Sequence, residues 1–176
     1  MSAVLNGTCN FVLDACAAGA TLKEAIAEAQ RLGFAESDPS EDLSGRDAAR
    51  KLQILARHAF GVDLPLIIHG LDESVVDSAR AAIPFGERLR QVARVARDNG
   101  RVLASVAFER VRPDSPFYDL QGEWNALTLT LSNREIIGAR GRGAGRWPTA
   151  EAVMADVFAL ARRERSFDAP GLETLR

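Results

Sequence analysis

The stretch RLRQVARVARDNGRVLASVAFERV, residues 88–111, decides between two fold classes. Read from its start, Leu89, Val92 and Val95 fall near helical spacing; read onward from Val102, apolar residues alternate as in a half-buried strand. Between the two halves stands Asp98-Asn99-Gly100, whose asparagine and glycine tolerate the positive φ angles of a tight hairpin turn. Turn and alternation together predict a β-hairpin. A second hairpin is expected in EWNALTLTLSNREIIGA, residues 123–139, turning at Ser132-Asn133 between β-rich runs.

Helices dominate the sequence upstream. NGTCNFVLDACAAG (6–19) has Phe11, Val12 and Ala15 near helical spacing and closes on Gly19. TLKEAIAEAQRLG (21–33) offers Thr21 as N-cap, Glu24 three residues on and Gly33 as the stop, so the two segments form a helical hairpin. SGRDAARKLQILARHAFG (44–61) places Ala48, Leu52, Leu55, Ala56 and Ala59 on one stripe and ends at Gly61. DLPLIIHG (63–70) is short, apolar and bounded by turn residues, so it is expected to be a buried strand, followed by a short helix in DESVVDSARAA (72–82). The chain closes with a glycine loop and a helix that has Pro148 near its first turn. Helices first and hairpins later predict an α+β fold, an antiparallel or mixed sheet packed against helices. No repeat or linker divides residues 1–176, which are expected to be one domain, with 140–165 its glycine loop and C-terminal helix.

Composition narrows the function classes. The chain has 176 residues, 47% hydrophobic and 26% charged, which fits a soluble globular domain with a sizeable core. A formal net charge of -2 and the lack of a long basic run argue against nucleic acid, and no apolar run has the roughly 18–20 residues of a membrane span. With no signal-peptide pattern at the start, the expected location is the cytoplasm, and the expected partner is a small molecule or another protein. Cys9 and Cys16 lie about 10 Å apart along one helix, too far for a disulfide, and no His/Cys cluster has metal-ligand spacing.

The basic residues are unevenly chosen. Of 22 Lys+Arg, only Lys23 and Lys51 are lysines. Arginine stays protonated at working pH, whereas a lysine can exchange a proton, so the exceptions invite a chemical reading. Lys23 sits on the polar side of an ordinary helix. Lys51 ends GFAESDPSEDLSGRDAARK (33–51), which gathers Glu36, Asp38, Glu41, Asp42 and Asp47. One reading is purely structural: Ser44 and Asp47 have the form of a capping box, and Asp47 to Lys51 is a helix-supporting i,i+4 pair. The other folds the acidic loop against the helix start, leaving carboxylates and one ammonium around a pocket, the acids to bind an amine or hydroxyl and the lysine to protonate an oxyanion. His58 and His69 are read as structural. A further candidate is REIIGARGRGAGRWPTAEAV (134–153), where a strand, closely spaced glycines and a helix start with nearby arginines could bring backbone amides to a phosphate. Its G-x-G-x-G spacing is not a dinucleotide fingerprint, and a plain glycine turn is the competing reading.

In this order, LNGTCNFVL (5–13), the segment from Glu24 to Gly61, DSPFYDLQGEWNAL (114–127) and GRGAGRWPTAEAVMADV (141–157) resemble the catalytic region of the homoserine dehydrogenases. The resemblance runs from Leu5 to about Ala161. It implies NADPH- or NADH-dependent reduction of L-aspartate 4-semialdehyde to L-homoserine, on the route to threonine and methionine. By motif, Lys51 resembles the catalytic proton donor. Gly33, Glu36, Asp42, Asp47 and Thr8 resemble substrate-side positions, and Gly143 and Gly145 match the loop that approaches the nicotinamide cofactor. No metal site is carried over. Phe34 stands where the family commonly has a tyrosine. Family members begin with a nucleotide-binding domain that this sequence is expected to lack, so the NADP or NAD site is expected to be incomplete. A homodimer, or a nucleotide-binding domain in trans, is the expected partner. The alternative is a non-catalytic homologue serving as an amino-acid-binding, assembly or regulatory module.

Overall fold

The computed structural model describes residues 1–61, 63, 65–98, 101–143 and 146–167. Six α-helices and six strands are found among them: β1 (Ser2–Val4), α1 (Gly7–Ala17), α2 (Leu22–Leu32), α3 (Ser40–Leu43), α4 (Arg46–Phe60), β2 (Leu66–Ile68), α5 (Glu73–Ala82), β3 (Arg88–Asp98), β4 (Arg101–Val111), β5 (Trp124–Thr130), β6 (Ile136–Arg142) and α6 (Arg146–Phe167). The fold is α+β. Met1–Ala144 forms one compact unit, and Gly145–Arg176 a second, in which α6 is the described element. No helix among the described residues is long and apolar enough to cross a membrane.

The deciding stretch is a hairpin. β3 and β4 pair antiparallel from Arg88 opposite Val111 to Asp98 opposite Arg101. Alternation sorts β3 into two faces: Leu89, Ala93 and Val95 are buried with helix residues, while Val92 is buried with Val111, Phe117 and Leu120 on the other side. A helix through Leu89, Val92 and Val95 would have put all three on one stripe. The second hairpin also forms, with Trp124 opposite Arg142 and Thr130 opposite Ile136. The strands assemble in the order β2-β4-β3-β1-β5-β6. β1 joins the two hairpins, Ser2 lying opposite Arg94 on one side and Thr128 on the other. β2 pairs parallel to β4, so the sheet is mixed.

β2 departs from expectation. It is a three-residue edge strand rather than a buried one, with Ile67 65% and Ile68 40% exposed. It has a neighbour on one side only, and its apolar composition alone could not report that position.

Within the first unit, α1, α4 and α5 cover one face of the sheet, with α2 packed on α1. α4 packs Ala48, Ala49, Leu52 and Ala56 against Ala93, Val95, Ala104 and Val106. The stripe is shifted from the predicted one by part of a turn: Ala49 is buried and Ala59 exposed. α1, α2 and α5 share a second cluster around Val12, Cys16, Ala25, Ala29 and Val76. The α1–α2 pair has the expected punctuation, since Thr21 and Glu24 form a reciprocal capping box and Gly33 closes α2 in the left-handed region at φ 78°.

The start of α4 is not capped as the sequence form promised. Ser44 ends α3, and its hydroxyl donates to the Glu41 carbonyl 3.3 Å away. The N-cap of α4 is Gly45, at φ 79°, and it carries no side-chain cap. Positive φ and close neighbours explain the glycine there: a Cβ would lie 2.9 Å from Ile68 Cγ2 and 3.1 Å from the His69 carbonyl oxygen. Gly45 thus joins α3 to α4 through a tight backbone corner, and Asp47 and Lys51 leave from the first turns beyond it.

Candidate active site

The site begins with an asparagine. Asn6 caps α1 by accepting from the Cys9 N–H at 2.8 Å, which fixes its amide nitrogen on the opposite side. That nitrogen donates to Asp42 Oδ1 at 2.6 Å and to Asp47 Oδ2 at 2.9 Å. One side chain, 2% exposed, therefore ties α1 to both the acidic loop and α4. Asp47 Oδ2 also accepts from Lys51 Nζ at 2.7 Å, and Lys51 Nζ donates to the Leu5 carbonyl at 3.2 Å. Two of the three ammonium protons are thus engaged, and the third has no partner among the described residues. The Lys51 side chain is 43% exposed and that of Asp47 28%, so the pair stands at an opening rather than in the core.

The acidic loop divides its carboxylates. Asp42 and Asp47 converge on Asn6, whereas Glu41 pairs with Arg50 at 2.6 Å and more loosely with Arg46 at 3.5 Å, locking α3 to α4. Asp38 accepts from the Ser40 N–H, and hydrogen bonds from Ser40 hold its carboxyl below the usual range. Glu36 is exposed; its backbone carbonyl accepts from Gln30 at 3.0 Å, and no bond among the described residues joins its carboxylate to Lys51. Gly33 is likewise exposed and ends α2. Thr8 links this side to the site, because its hydroxyl donates to the Phe34 carbonyl at 2.7 Å from the first turn of α1. Beneath Asp42, the Cys9 thiol contacts the Asp42 carbonyl at 3.2 Å. Burial first, then the Asp42 and Asp47 charges, push this thiol up, which disfavours the thiolate.

Gly143 lies just past β6, where its N–H donates to the Glu123 carbonyl at 2.7 Å. That donor is therefore spent inside the fold, and the Asn125 side chain lies against the place a Cβ would take. Gly145 falls outside the described residues. The structure therefore brings Lys51, Asp47 and Asp42 together through Asn6, sets Thr8 on the adjoining turn, and leaves Glu36 and Gly33 on the exposed loop. Sequence reading missed Asn6 and Asn125, whose amide donates at 3.4 Å to the carbonyl that also receives Lys51. The signal for Asn6 was its place before a helical run as an N-cap residue; Asn125, inside a strand, gave none.

In this α+β unit the Lys51 ammonium is held between the Asp47 carboxylate and the Leu5 carbonyl, an arrangement of a kind that suits acid–base chemistry. The comparisons specify it further. The sequence model of the homoserine dehydrogenase family matches residues 1–158, and the chain belongs to that family. A homoserine dehydrogenase from Helicobacter pylori is 32% identical over 167 residues, 93% of this chain and 40% of that protein. The crystal structure of a homoserine dehydrogenase from Thiobacillus denitrificans superposes with a TM-score of 0.85 at 30% identity, covering 94% of this chain and 39% of that one. A hyperthermophilic archaeal homoserine dehydrogenase solved in complex with NADPH gives a TM-score of 0.74 at 28% identity, covering 92% and 47%. The chain spans about 40% of the length of the curated relatives it matches.

Proposed function

We propose that this chain carries the catalytic half of a homoserine dehydrogenase, reducing L-aspartate 4-semialdehyde to L-homoserine with a nicotinamide nucleotide. The observation that carries the reading is the Lys51 ammonium, fixed by Asp47 and the Leu5 carbonyl with one proton to spare. When bound, the nucleotide supplies a hydride to the aldehyde carbon. Charge then develops on the aldehyde oxygen, where the Lys51 ammonium stabilises it and donates the proton that completes the hydroxyl. Lys51 regains its proton from solvent, to which it is open. Asp47 keeps the ammonium aimed, and Asp42, Thr8, Gly33 and Glu36 form the substrate side, where carboxylates suit the ammonium of an amino acid. Gly143 and Gly145 form the cofactor side, for NADP or NAD. A nucleotide-binding domain, in the same assembly or in trans, completes that side, and a homodimer is the expected assembly.

The test mixes the purified chain with aspartate semialdehyde and NADPH or NADH, with and without a nucleotide-binding domain of a related enzyme, and follows cofactor oxidation. Turnover in the supplemented mixture is expected. Absence of turnover in both mixtures, together with no homoserine binding by calorimetry, would favour a non-catalytic homologue instead. In a competent assembly, Lys51→Arg keeps the charge but loses a transferable proton, and turnover should fall on the order of 10²–10⁴-fold. Unchanged turnover would remove Lys51 from the role.

A further inference from the structure

Asn125 of β5 reaches two parts of the molecule at once. Its Nδ2 donates to the Leu5 carbonyl at 3.4 Å, and the same carbonyl accepts from Lys51 Nζ at 3.2 Å. The amide also lies across Gly143: a Cβ built there would come within 2.6 Å of Asn125 Cγ and would overlap the amide nitrogen. Asn125 Oδ1 is buried with no partner among the described residues. Burying a carboxamide oxygen unsatisfied is unfavourable, so the side chain is not held in this orientation by its own hydrogen-bonding balance. What the orientation provides is the donation to Leu5.

We propose that Asn125 is a positioning residue for the proton donor. Its amide fixes the Leu5 carbonyl, the carbonyl fixes one proton of the Lys51 ammonium, and residue 143 is glycine so that the amide can occupy this place. The proposal rests on the reading of Lys51 as proton donor. It also gives Gly143 a reason for being glycine that does not depend on a cofactor.

The chain's two lysines make the test direct. In protein labelled with 15N-lysine, two ammonium groups are observable, and the one lost in Lys51→Arg is Lys51. Its order parameter should exceed that of Lys23, which is exposed on α2. Asn125→Ala should lower the Lys51 value towards that of Lys23, and Gly143→Ala should do the same by displacing the amide. The double variant should match Asn125→Ala alone, because without the amide the added methyl has room. Asn125→Leu, close in size but without a donor, repeats the test if the alanine variant does not fold. Where the assembly turns over, kcat should fall on the order of 10–100-fold while KM changes little. An unchanged Lys51 order parameter in the Asn125 variants overturns the proposal, as does a Gly143→Ala effect equally large in the Asn125→Ala background. The magnetic resonance measurement needs no turnover, so a failure of the dehydrogenase reading would register separately in the assay.

Discussion

Asn6 holds two carboxylates that would otherwise face each other across a narrow gap. Its amide nitrogen places a hydrogen on each, while its oxygen caps α1, so one residue serves a structural and an electrostatic purpose. The two can be separated by substitution. Asn6→Ser keeps a cap acceptor and loses both donations; hydrogen bonds to charged groups are worth roughly 1.5–3 kcal/mol each, and a loss of this order in urea unfolding is expected. Asn6→Asp keeps the cap and adds a third carboxylate facing Asp42 and Asp47. Like charges repel only when ionised, so Asn6→Asp should lose more stability than Asn6→Ser at pH 7, with the gap closing as the solution is acidified. Equal losses for the two variants at neutral pH would show that the carboxylates do not converge here. Legibility at this scale was uneven. The lysine bias of an arginine-rich chain pointed to Lys51, and i,i+4 spacing gave the bond to Asp47. The contact between Asn6 and residues 42 and 47 joins parts of the chain more than thirty residues apart, and no local pattern encodes that distance.

At the scale of elements, the signals that held are those whose physics is local. The capping box of α2, its glycine stop and the two hairpins each depend on a few adjacent residues and on side-chain alternation. Two signals misled because tertiary placement decides them. The apolar run at residues 66–68 became an edge strand, and Ser44 was drawn to the end of α3 while Gly45 took the start of α4. The corner makes Gly45→Ala costly, by about 1–3 kcal/mol, because an L residue is strained at this φ and its methyl presses on Ile68. A chemical denaturation midpoint within error of the parent's would contradict the corner. α5 offers a pH-dependent counterpart. Asp72 caps it, and hydrogen bonds from the Ser74 hydroxyl and the Val75 N–H hold its carboxyl below the ordinary value. A depressed folded-state pKa contributes stability above the unfolded value of about 3.9, and this is lost as pH falls through the lower folded value. Asp72→Asn retains a cap that does not titrate, so its thermal midpoint should fall less than the parent's between pH 7 and about pH 3. Parallel acid curves for the two proteins would exclude Asp72 as a contributor.

In the first compact unit, a segment without regular strands packs through Phe117 and Leu120 on Val4, Val92, Val111 and Ala126 of the sheet, and a buried arginine ties it down. Arg90 is 0% exposed on β3. It pairs with Asp14 of α1 through both carboxylate oxygens, at 2.8 and 3.2 Å, and donates to the carbonyls of Phe117, Tyr118 and Leu120. This places a guanidinium where Val92, Phe117 and Leu120 otherwise make an apolar cluster. The planar fork is the reason for arginine: five donors in fixed directions meet acceptors on two different segments, and a lysine ammonium has neither the number nor the spread. Removing one partner of such a buried pair leaves polar groups stranded, so Arg90→Ala should cost roughly 3–5 kcal/mol, with Arg90→Lys recovering little of it. Added salt should change the loss little, because Arg90 is fully buried even though Asp14 is 31% exposed. Hydrogen exchange locates the effect: amides of residues 117–120 should lose protection before those of the β3–β4 hairpin, whose ladder does not depend on the arginine side chain. Uniform loss of protection over both regions would show that Arg90 supports the sheet itself rather than the segment folded across it.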